Sequence, residues 1–203
     1  MIRIGMRARR DPGVVIGYKP DRKIADLSLV VAPGARLRSG TILYLGSRIG
    51  LGFETGHNVV IREENEIGNG VQVWSNSIVD YGCVIGDGTH IHSNVYIAQY
   101  SRIGKNVFIA PGVVFLNDPH PGCVFSRQCM RGPEIGDGAV IGGGCVVMPF
   151  VKIGAGAIVG AGSLVTKDIP PGVVAYGSPA RVHGRKTGLK CVTGHLKKPY
   201  QGR

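Results

Sequence analysis

Apolar residues recur at every sixth position over most of this chain. The first run, in which only Thr55 is polar, reads Val31, Leu37, Leu43, Ile49, Thr55, Ile61, Ile67, Val73, Val79, Ile85, Ile91, Ile97, Ile103, Ile109 and Phe115. A second run reads Ile135, Ile141, Val147, Ile153, Val159 and Val165. Neither a helical period nor the alternation of a single strand explains this spacing, which is typical of a solenoid of hexapeptide repeats.

Three such repeats predict one coil of a parallel β-helix, with a short strand and a turn in each repeat. An Ile-Gly pair marks every third repeat, as at Ile49-Gly50 and Ile67-Gly68. We expect the sixth-position residue to point inwards and to stack on its counterpart one coil away, at a strand spacing of about 4.8 Å. Glycine and asparagine at the corners suit the positive φ angles that tight turns need. The chain is therefore predicted to be all-β.

A single interruption breaks the repeat between Ile103 and Ile135, where the gap is 32 residues instead of 18. The extra residues predict an inserted loop at about residues 117–131. Loops that leave a rigid scaffold are common places for functional groups, so we expect this loop to carry part of a functional site.

Three regions are predicted. Residues 1–30 form an N-terminal cap with one or two short strands, residues 31–170 form the β-helix, and residues 171–203 form a basic extension. The β-helix is expected to end near Ile169, because the two prolines that follow cannot donate to a strand ladder.

Basic residues are concentrated at both ends of the chain. The net charge is +11, and residues 181–203 hold seven Lys or Arg and no acidic residue. Residues 1–23 hold seven basic and two acidic residues, which leaves ten basic and eleven acidic residues between the two ends. Basic ends attract polyanions or small phosphorylated ligands. Because no aromatic residues are interleaved with these charges, we predict a small phosphorylated ligand and no nucleic-acid partner.

The cysteines predict free thiols. The five of them, at positions 83, 123, 129, 145 and 191, share no metal-ligand spacing, so we expect a reducing cytoplasm and no metal site. No stretch approaches the length of apolar sequence that a membrane helix needs, and no signal-peptide pattern is present. We therefore predict a cytoplasmic protein with no membrane partner.

Four stretches resemble known proteins. Residues 162–170, together with residues 177–181 (Gly-Ser-Pro-Ala-Arg), are similar to the closing motif of the hexapeptide-repeat acyltransferases. Residues 56–63 and 114–121 look like the N-acetyltransferases that act on nucleotide-linked amino sugars. The resemblance implies a left-handed β-helix, a homotrimer, acetyl-CoA as co-substrate and the amine of a nucleotide-linked amino sugar as acceptor.

The resemblance also suggests the site residues. We predict catalytic roles for His57, His92 and His120, because histidine titrates near neutral pH. Substrate contacts are predicted for Arg62, Glu63, Asn94, Asn117 and Asp118, although Asn94 also belongs to a corner ladder with Asn58 and Asn76. Backbone at Gly142, Gly143, Gly160 and Ala161 is expected to lie along the pantetheine arm, and Lys167 and Arg181 are expected to bind the CoA phosphates.

Other functions remain open at this point. The same fold could acetylate an oxygen or nitrogen of another small acceptor, or it could serve as a scaffold without catalysis. A zinc enzyme of the carbonic-anhydrase type would need a pair of histidines five residues apart, and no two histidines here have that spacing.

Overall fold

The computed structural model describes residues 1–200, which form very short strands joined by tight turns. Before the interruption the strands are β1 Ile2–Ile4, β2 Arg9–Arg10, β3 Val15–Tyr18, β4 Leu29–Val31, β5 Arg36–Leu37, β6 Ile42–Tyr44, β7 Arg48–Ile49, β8 Glu54–Thr55, β9 Val60–Ile61, β10 Glu66–Ile67, β11 Gln72–Val73, β12 Ile78–Val79, β13 Val84–Ile85, β14 His90–Ile91, β15 Tyr96–Ile97, β16 Arg102–Ile103, β17 Phe108–Ile109 and β18 Val114–Phe115. A short helix, α1 Ser126–Cys129, lies within the interruption.

After the interruption the strands are β19 Glu134–Ile135, β20 Val140–Ile141, β21 Val146–Val147, β22 Lys152–Ile153, β23 Ile158–Val159, β24 Leu164–Val165, β25 Val173–Gly177 and β26 Ala180–Arg185. A 3-10 helix, Lys186–Gly188, follows β26.

Every third strand lies in the same sheet, so the chain winds as a triangular prism. The first sheet is β1-β4-β7-β10-β13-β16-β19-β22, the second is β2-β5-β8-β11-β14-β17-β20-β23-β25-β26, and the third is β3-β6-β9-β12-β15-β18-β21-β24. Neighbouring strands are parallel except for β25 and β26, which are antiparallel. The predicted left-handed parallel β-helix is confirmed.

The repeat register continues across the interruption. Ile67 pairs with Ile49 on one side and with Ile85 on the other, and Ile103 pairs with Ile135 beyond the loop. The loop therefore adds its residues at one corner of the prism without shifting the coil that follows.

The core consists of stacked aliphatic side chains. The sixth-position residues Ile61, Ile91 and Ile97 are buried, and so are the slim residues such as Val59 and Val71 that lie four positions after the repeat residue. These stacks remove apolar surface from water along the whole prism, which is the main favourable term in folding.

Thr55, the one polar residue of the first apolar run, has hydrogen-bond partners inside the core. The hydroxyl of Thr55 lies 2.8 Å from that of Thr41 and accepts a hydrogen bond from the amide of Arg38 at 3.0 Å. A buried hydroxyl with two partners costs little, so Thr55 fits into the apolar stack.

The corners hold the predicted asparagine ladder. Asn58, Asn76 and Asn94 have φ angles of 56°, 60° and 60°, in the left-handed region. We call the prism edge between the first and second sheets edge 1 (for example residues 50–53). Edge 2 lies between the second and third sheets (residues 56–59), and edge 3 lies between the third and first sheets (residues 62–65).

Both ends of the β-helix differ from the expectation. Residues 1–18 contain three strands rather than one or two, and these pair in parallel with β4, β5 and β6. At the other end, Ile169 bridges to Ile153 and β25 pairs with β23. Parallel pairing therefore continues past Ile169, because Pro170 and Pro171 lie between the bridge and β25 rather than inside a strand.

The extension after the helix is an antiparallel hairpin of β25 and β26, followed by the 3-10 helix. The hairpin lengthens the second sheet, so the first residues of the basic extension are part of the fold. Of the predicted extension, residues 201–203 lie outside the described part of the chain.

Replacing Val73 by Ala should lower the free energy of unfolding by about 2 kcal/mol, because the side chain is fully buried and its loss leaves a cavity. The matched control is Val84→Ala, at a valine that is 36% exposed on the outside of the first sheet. Urea unfolding should show a clear loss for the first variant and under about 0.5 kcal/mol for the second. Equal losses would contradict the assignment of inward and outward positions.

Candidate active site

A carboxylate buried under edge 3 anchors one part of the candidate site. Glu63 is 0% exposed. Arg22 donates from Nε to its Oε1 at 2.5 Å, and Arg62 donates to both of its oxygens at 3.0 and 3.1 Å. Burial alone would raise the pKa of Glu63, but the hydrogen bonds from Arg62, its own backbone amide and Arg22 hold that pKa below its usual value.

This burial corrects one predicted role. With no exposed surface and both oxygens occupied, Glu63 cannot contact a substrate, so that prediction is wrong. Its carboxylate instead fixes the guanidinium of Arg62, which is about one-third exposed. Of the two predicted residues, Arg62 is the one that can reach a ligand.

Arg62 links Glu63 to a second carboxylate on the next coil. Its Nη1 lies 3.4 Å from Oδ1 of Asp80, which is also buried. Tyr96 and Gln99 donate to Oδ2 of Asp80 at 2.8 and 2.6 Å. Edge 3 therefore carries a polar ladder that continues from coil to coil.

The ladder ends at the inserted loop. Asn117 donates from Nδ2 to Oε1 of Gln99 at 2.6 Å. The backbone amide of Arg131 donates to the carbonyl oxygen of Asn117 at 2.8 Å, which joins the two ends of the loop. The side chain of Asn117 is thus held by the body of the β-helix rather than by the loop alone.

Asp118 shapes the loop that follows. Its Oδ1 accepts a hydrogen bond from the amide of His120 at 2.9 Å, and its Oδ2 accepts one from the hydroxyl of Ser126. His120 itself is exposed. Three of the predicted site residues, Asn117, Asp118 and His120, therefore lie together at edge 3.

The other predicted catalytic residues lie at edge 2. Nδ1 of His57 is 2.8 Å from the hydroxyl of Ser39. Two coils further on, the ring of His92 is half-buried and packs on Phe108 with 4.9 Å between ring centroids. Asn94 is an exposed corner residue of the same coil as His92. A single chain therefore does not bring these residues to the inserted loop.

The later coils of edge 2 carry the predicted pantetheine contacts. A Cβ on Gly142 would overlap the backbone of Ala161, and one on Gly160 would lie 2.8 Å from Cβ of Tyr176, so close stacking accounts for both glycines. Within residues 1–200, the amides of Gly143 and Ala161 have no backbone acceptor. Edge 2 thus offers two free amide donors beside a surface with almost no side chains, which suits an extended chain of alternating polar and apolar groups.

The predicted phosphate ligands lie apart from each other. Lys167 is exposed at edge 3, and Arg181 is exposed on β26. A groove of about 850 Å³ lies along the outside of the second sheet, and its lining includes two lysines and the carboxylate of Asp137. Its wall includes His90, Phe108, Lys105 and, from the basic extension, Lys186.

The third sheet separates the two groups of candidate residues, and its outer face is apolar. Its outward positions are Ile42, Val60, Ile78, Tyr96, Val114, Val146 and Leu164. From β7 to β22 the outward positions of the first sheet are instead mostly charged, namely Arg48, Glu66, Val84, Arg102, Glu134 and Lys152. A continuous apolar face on one side of a prism indicates a contact surface.

The sequence analysis missed Arg22, Asp80, Tyr96 and Gln99. A signal for some of them was present, since Asp80 follows Arg62 by 18 residues and Asn117 follows Gln99 by 18 residues. In this fold such residues lie one above the other. The position of Arg22 had no such signal, because it lies outside the repeat.

Two other kinds of site find no support in the described part of the chain. Residues 1–200 contain no group of three His, Cys, Asp or Glu side chains that could hold a metal ion. Nor does any helix in that range have the length and apolar character needed to cross a lipid bilayer.

Comparison with known proteins identifies the repeat. Residues 66–99, 82–117 and 132–167 match the family described as bacterial transferase hexapeptide, six repeats. These segments, which together make up less than half of the chain, carry the hexapeptide repeat of that family. A UDP-N-acetylglucosamine acyltransferase from Bacteroides fragilis 9343 has a similar structure, with a TM-score of 0.67 and 20% identity over 91% of this chain and 72% of that one. At this identity the likeness shows the fold alone.

Other proteins are similar over shorter segments of sequence. Nodulation protein L of Rhizobium meliloti (strain 1021) is 50% identical over 86 residues, which are 40% of this chain and 47% of that protein. The mitochondrial serine acetyltransferase 3 of Arabidopsis thaliana is 38% identical over 97 residues, which are 47% of this chain and 23% of that protein. The chain spans less than half the length of either relative.

Replacing Glu63 by Gln should lower the free energy of unfolding by about 3 kcal/mol, because two arginines then face a neutral group. The stabilisation by Glu63 should be complete above about pH 4.5, the ordinary pKa of glutamate. Because the pKa is lowered in the folded state, the stabilisation should disappear as the pH falls further and the carboxylate is protonated. Urea unfolding between pH 3 and pH 7 measures this, and the two proteins should converge at the acid end.

The neighbouring carboxylate gives the control. Glu64 is 39% exposed at its side chain and, within residues 1–200, pairs only with Arg22, so Glu64→Gln should cost under about 1 kcal/mol. A loss for Glu63→Gln no larger than this would contradict the anchoring role of Glu63.

Proposed function

We propose that the protein is an acyl-CoA-dependent N-acyltransferase, with acetyl as the acyl group and the amine of a nucleotide-linked amino sugar as the acceptor. The observation that carries the proposal is the inserted loop. It interrupts an otherwise continuous register at edge 3 and holds Asn117 and Asp118 at the end of the polar ladder. The match to the bacterial transferase hexapeptide family supports transfer of an acyl group, and the resemblance of residues 56–63 and 114–121 supports the amino-sugar acceptor.

The proposed active unit is a homotrimer that packs through the apolar face of the third sheet. Packing of three prisms through this face places edge 2 of one copy beside edge 3 of the next. His57, His92 and Asn94 of one copy then face Arg62 and the inserted loop of its neighbour. The trimer would complete a site of which a single chain holds two separate parts.

The proposed donor site lies along edge 2. Gly143 and Ala161 offer their free amides to the pantetheine arm, and the surface between them is bare enough for the arm to lie close. Lys167 and Arg181 are the proposed partners of the CoA phosphates, because the chain's closing motif contains both. Lys167 lies at edge 3, so in the proposed trimer it would reach edge 2 of the neighbouring copy. No metal takes part in this scheme.

The main contribution proposed for the protein is to position the amine of the acceptor against the thioester of the donor. A sugar amine attacks the thioester carbon, the carbonyl oxygen gains negative charge, and the amine loses a proton as the thiol leaves. His92 or His120 is the proposed proton acceptor, since an imidazole is suited to general-base catalysis near neutral pH. Asn117 and Arg62 are proposed to hold the acceptor.

Replacing Asn117 by Ala should lower kcat/KM for the acceptor by roughly 10- to 100-fold, the effect of losing one substrate hydrogen bond. The assay follows release of the free thiol from acetyl-CoA with a panel of UDP- and dTDP-linked amino sugars. The matched control is Asn69→Ala, at an edge 1 asparagine whose side-chain Oδ1 accepts a hydrogen bond from the amide of Leu51.

The same assay can overturn the proposal. No thiol release with any member of the panel, while serine or a sugar hydroxyl is acetylated, would favour the alternative of another small acceptor. Absence of acetyl-CoA binding in calorimetry would favour a scaffold instead.

Replacing Ile78 by Lys should convert the trimer to monomers, because the charge would lie in the proposed interface and would be costly to bury. The control is Val84→Lys, since the two side chains are 37% and 36% exposed in the single chain but lie on different sheets. Light scattering coupled to size exclusion measures the mass. A trimeric Ile78→Lys protein, or a wild-type monomer, would contradict the assignment of the interface.

A further inference from the structure

The polar ladder of edge 3 has a direction. It begins at the carboxylate of Asp80, passes through the amide of Gln99 and ends at the amide of Asn117. Each amide has one donor end and one acceptor end, so the orientation of one can fix that of the next. The order of donors and acceptors therefore decides which atom of Asn117 is presented to a ligand.

Asp80 sets this direction because donors surround it. Its Oδ1 accepts from the amide of Tyr81 at 2.8 Å and lies 3.4 Å from the guanidinium of Arg62. Its Oδ2 accepts from Tyr96 and from Gln99. Burial and the hydrogen bond to Asp80 raise the pKa of Tyr96, so that hydroxyl stays protonated and donates. With the Tyr81 amide, the Arg62 guanidinium and the Tyr96 hydroxyl directed at it, the Asp80 carboxylate acts as an acceptor, and Gln99 turns its Nε2 towards it.

The orientation of Gln99 then fixes that of Asn117. With Nε2 committed to Asp80, Gln99 presents Oε1 to Asn117, and the donor to it is Nδ2 of Asn117 at 2.6 Å. Within residues 1–200, Oδ1 of Asn117 accepts no side-chain hydrogen bond. It is the remaining acceptor on the partly exposed end of the side chain.

We propose that Asp80 and Gln99 are positioning residues that make Asn117 present its carbonyl oxygen, and not its amide nitrogen, to the acceptor substrate. This inference rests on the proposed function. The group that Asn117 recognises is then a hydrogen-bond donor, the reacting amine. By accepting one N–H, Oδ1 holds the amine so that its lone pair points away from Asn117 and towards the thioester.

Asp80→Asn tests the direction, because the variant has nearly the same shape but can donate. Its Oδ1 should remain with Tyr81 and Arg62, and its Nδ2 should face Gln99. Gln99 would then turn over, and Asn117 would turn its nitrogen towards the substrate. We expect kcat/KM for the amino sugar to fall about tenfold or more, whereas KM for acetyl-CoA should stay within about twofold.

The double variant Asp80→Asn with Gln99→Glu should restore the order. The amide at position 80 then donates to the carboxylate at position 99, and that carboxylate accepts from Nδ2 of Asn117 as before. We expect kcat/KM for the acceptor to recover to within about threefold of wild type. Gln99→Glu alone places two carboxylates together and should lower thermal stability.

Glu54→Gln is the control for loss of an arginine-paired carboxylate, because Glu54 pairs with Arg36 at 3.6 Å on the second sheet. Its kinetics should match those of wild type. An unchanged acceptor kcat/KM in Asp80→Asn, or a double variant no better than the single one, would overturn the inference.

A measurement without catalysis separates this inference from the proposed function. In NMR spectra, the side-chain NH₂ protons of Asn117 should exchange slowly with solvent in wild type, because they are bonded to Gln99. They should exchange faster in Asp80→Asn and slowly again in the double variant.

If this pattern holds while no amino sugar is acetylated, the proposed acceptor is wrong and the orientation of Asn117 stands. If exchange is the same in all three proteins, the orientation is wrong whatever the enzyme acetylates.

Discussion

The structure depends on the stacking of similar side chains that recur at a fixed interval of 18 residues, one coil above the other. Each short strand is paired in parallel with the strand one coil before and one coil after, as in the series Ile49, Ile67, Ile85 and Ile103. A two-residue strand has too few hydrogen bonds to be stable alone, so its stability comes from its neighbours above and below. This constraint explains why the interior is filled with β-branched side chains of nearly equal size, which fit over copies of themselves.

The same interval that builds the core also builds polar ladders on the outside. Arg62 and Asp80 are one coil apart, and so are Gln99 and Asn117, so groups of complementary chemistry lie one above the other at edge 3. Glu63 is the buried end of this arrangement, held by Arg22 from the N-terminal segment. A rigid body of coils thus supplies the support that an inserted loop of irregular structure lacks.

Most of the fold could be predicted from the sequence, because the repeat is strict. The inward positions, the asparagine corners and the place of the loop all follow from the period. Arg22 and the three N-terminal strands could not be found in this way, since residues 1–18 pair with the first coils without showing the apolar repeat. The burial of Glu63 was missed because it depends on Arg22, 41 positions away. Within the β-helix, the period alone places each candidate residue at edge 2 or at edge 3. The sequence resemblance did not use the period and assigned these residues to one site according to the motifs that contain them.

The pairing of Ile103 with Ile135 on either side of the loop has a consequence for how such proteins can change. The coils on both sides keep their register whatever the loop contains, and the entropy of closing a loop rises only slowly with its length. A corner of this prism is therefore a place where residues can be gained, lost or exchanged with little effect on folding. New acceptor specificity could arise at such a corner while the rest of the chain, and with it the donor site, stays the same.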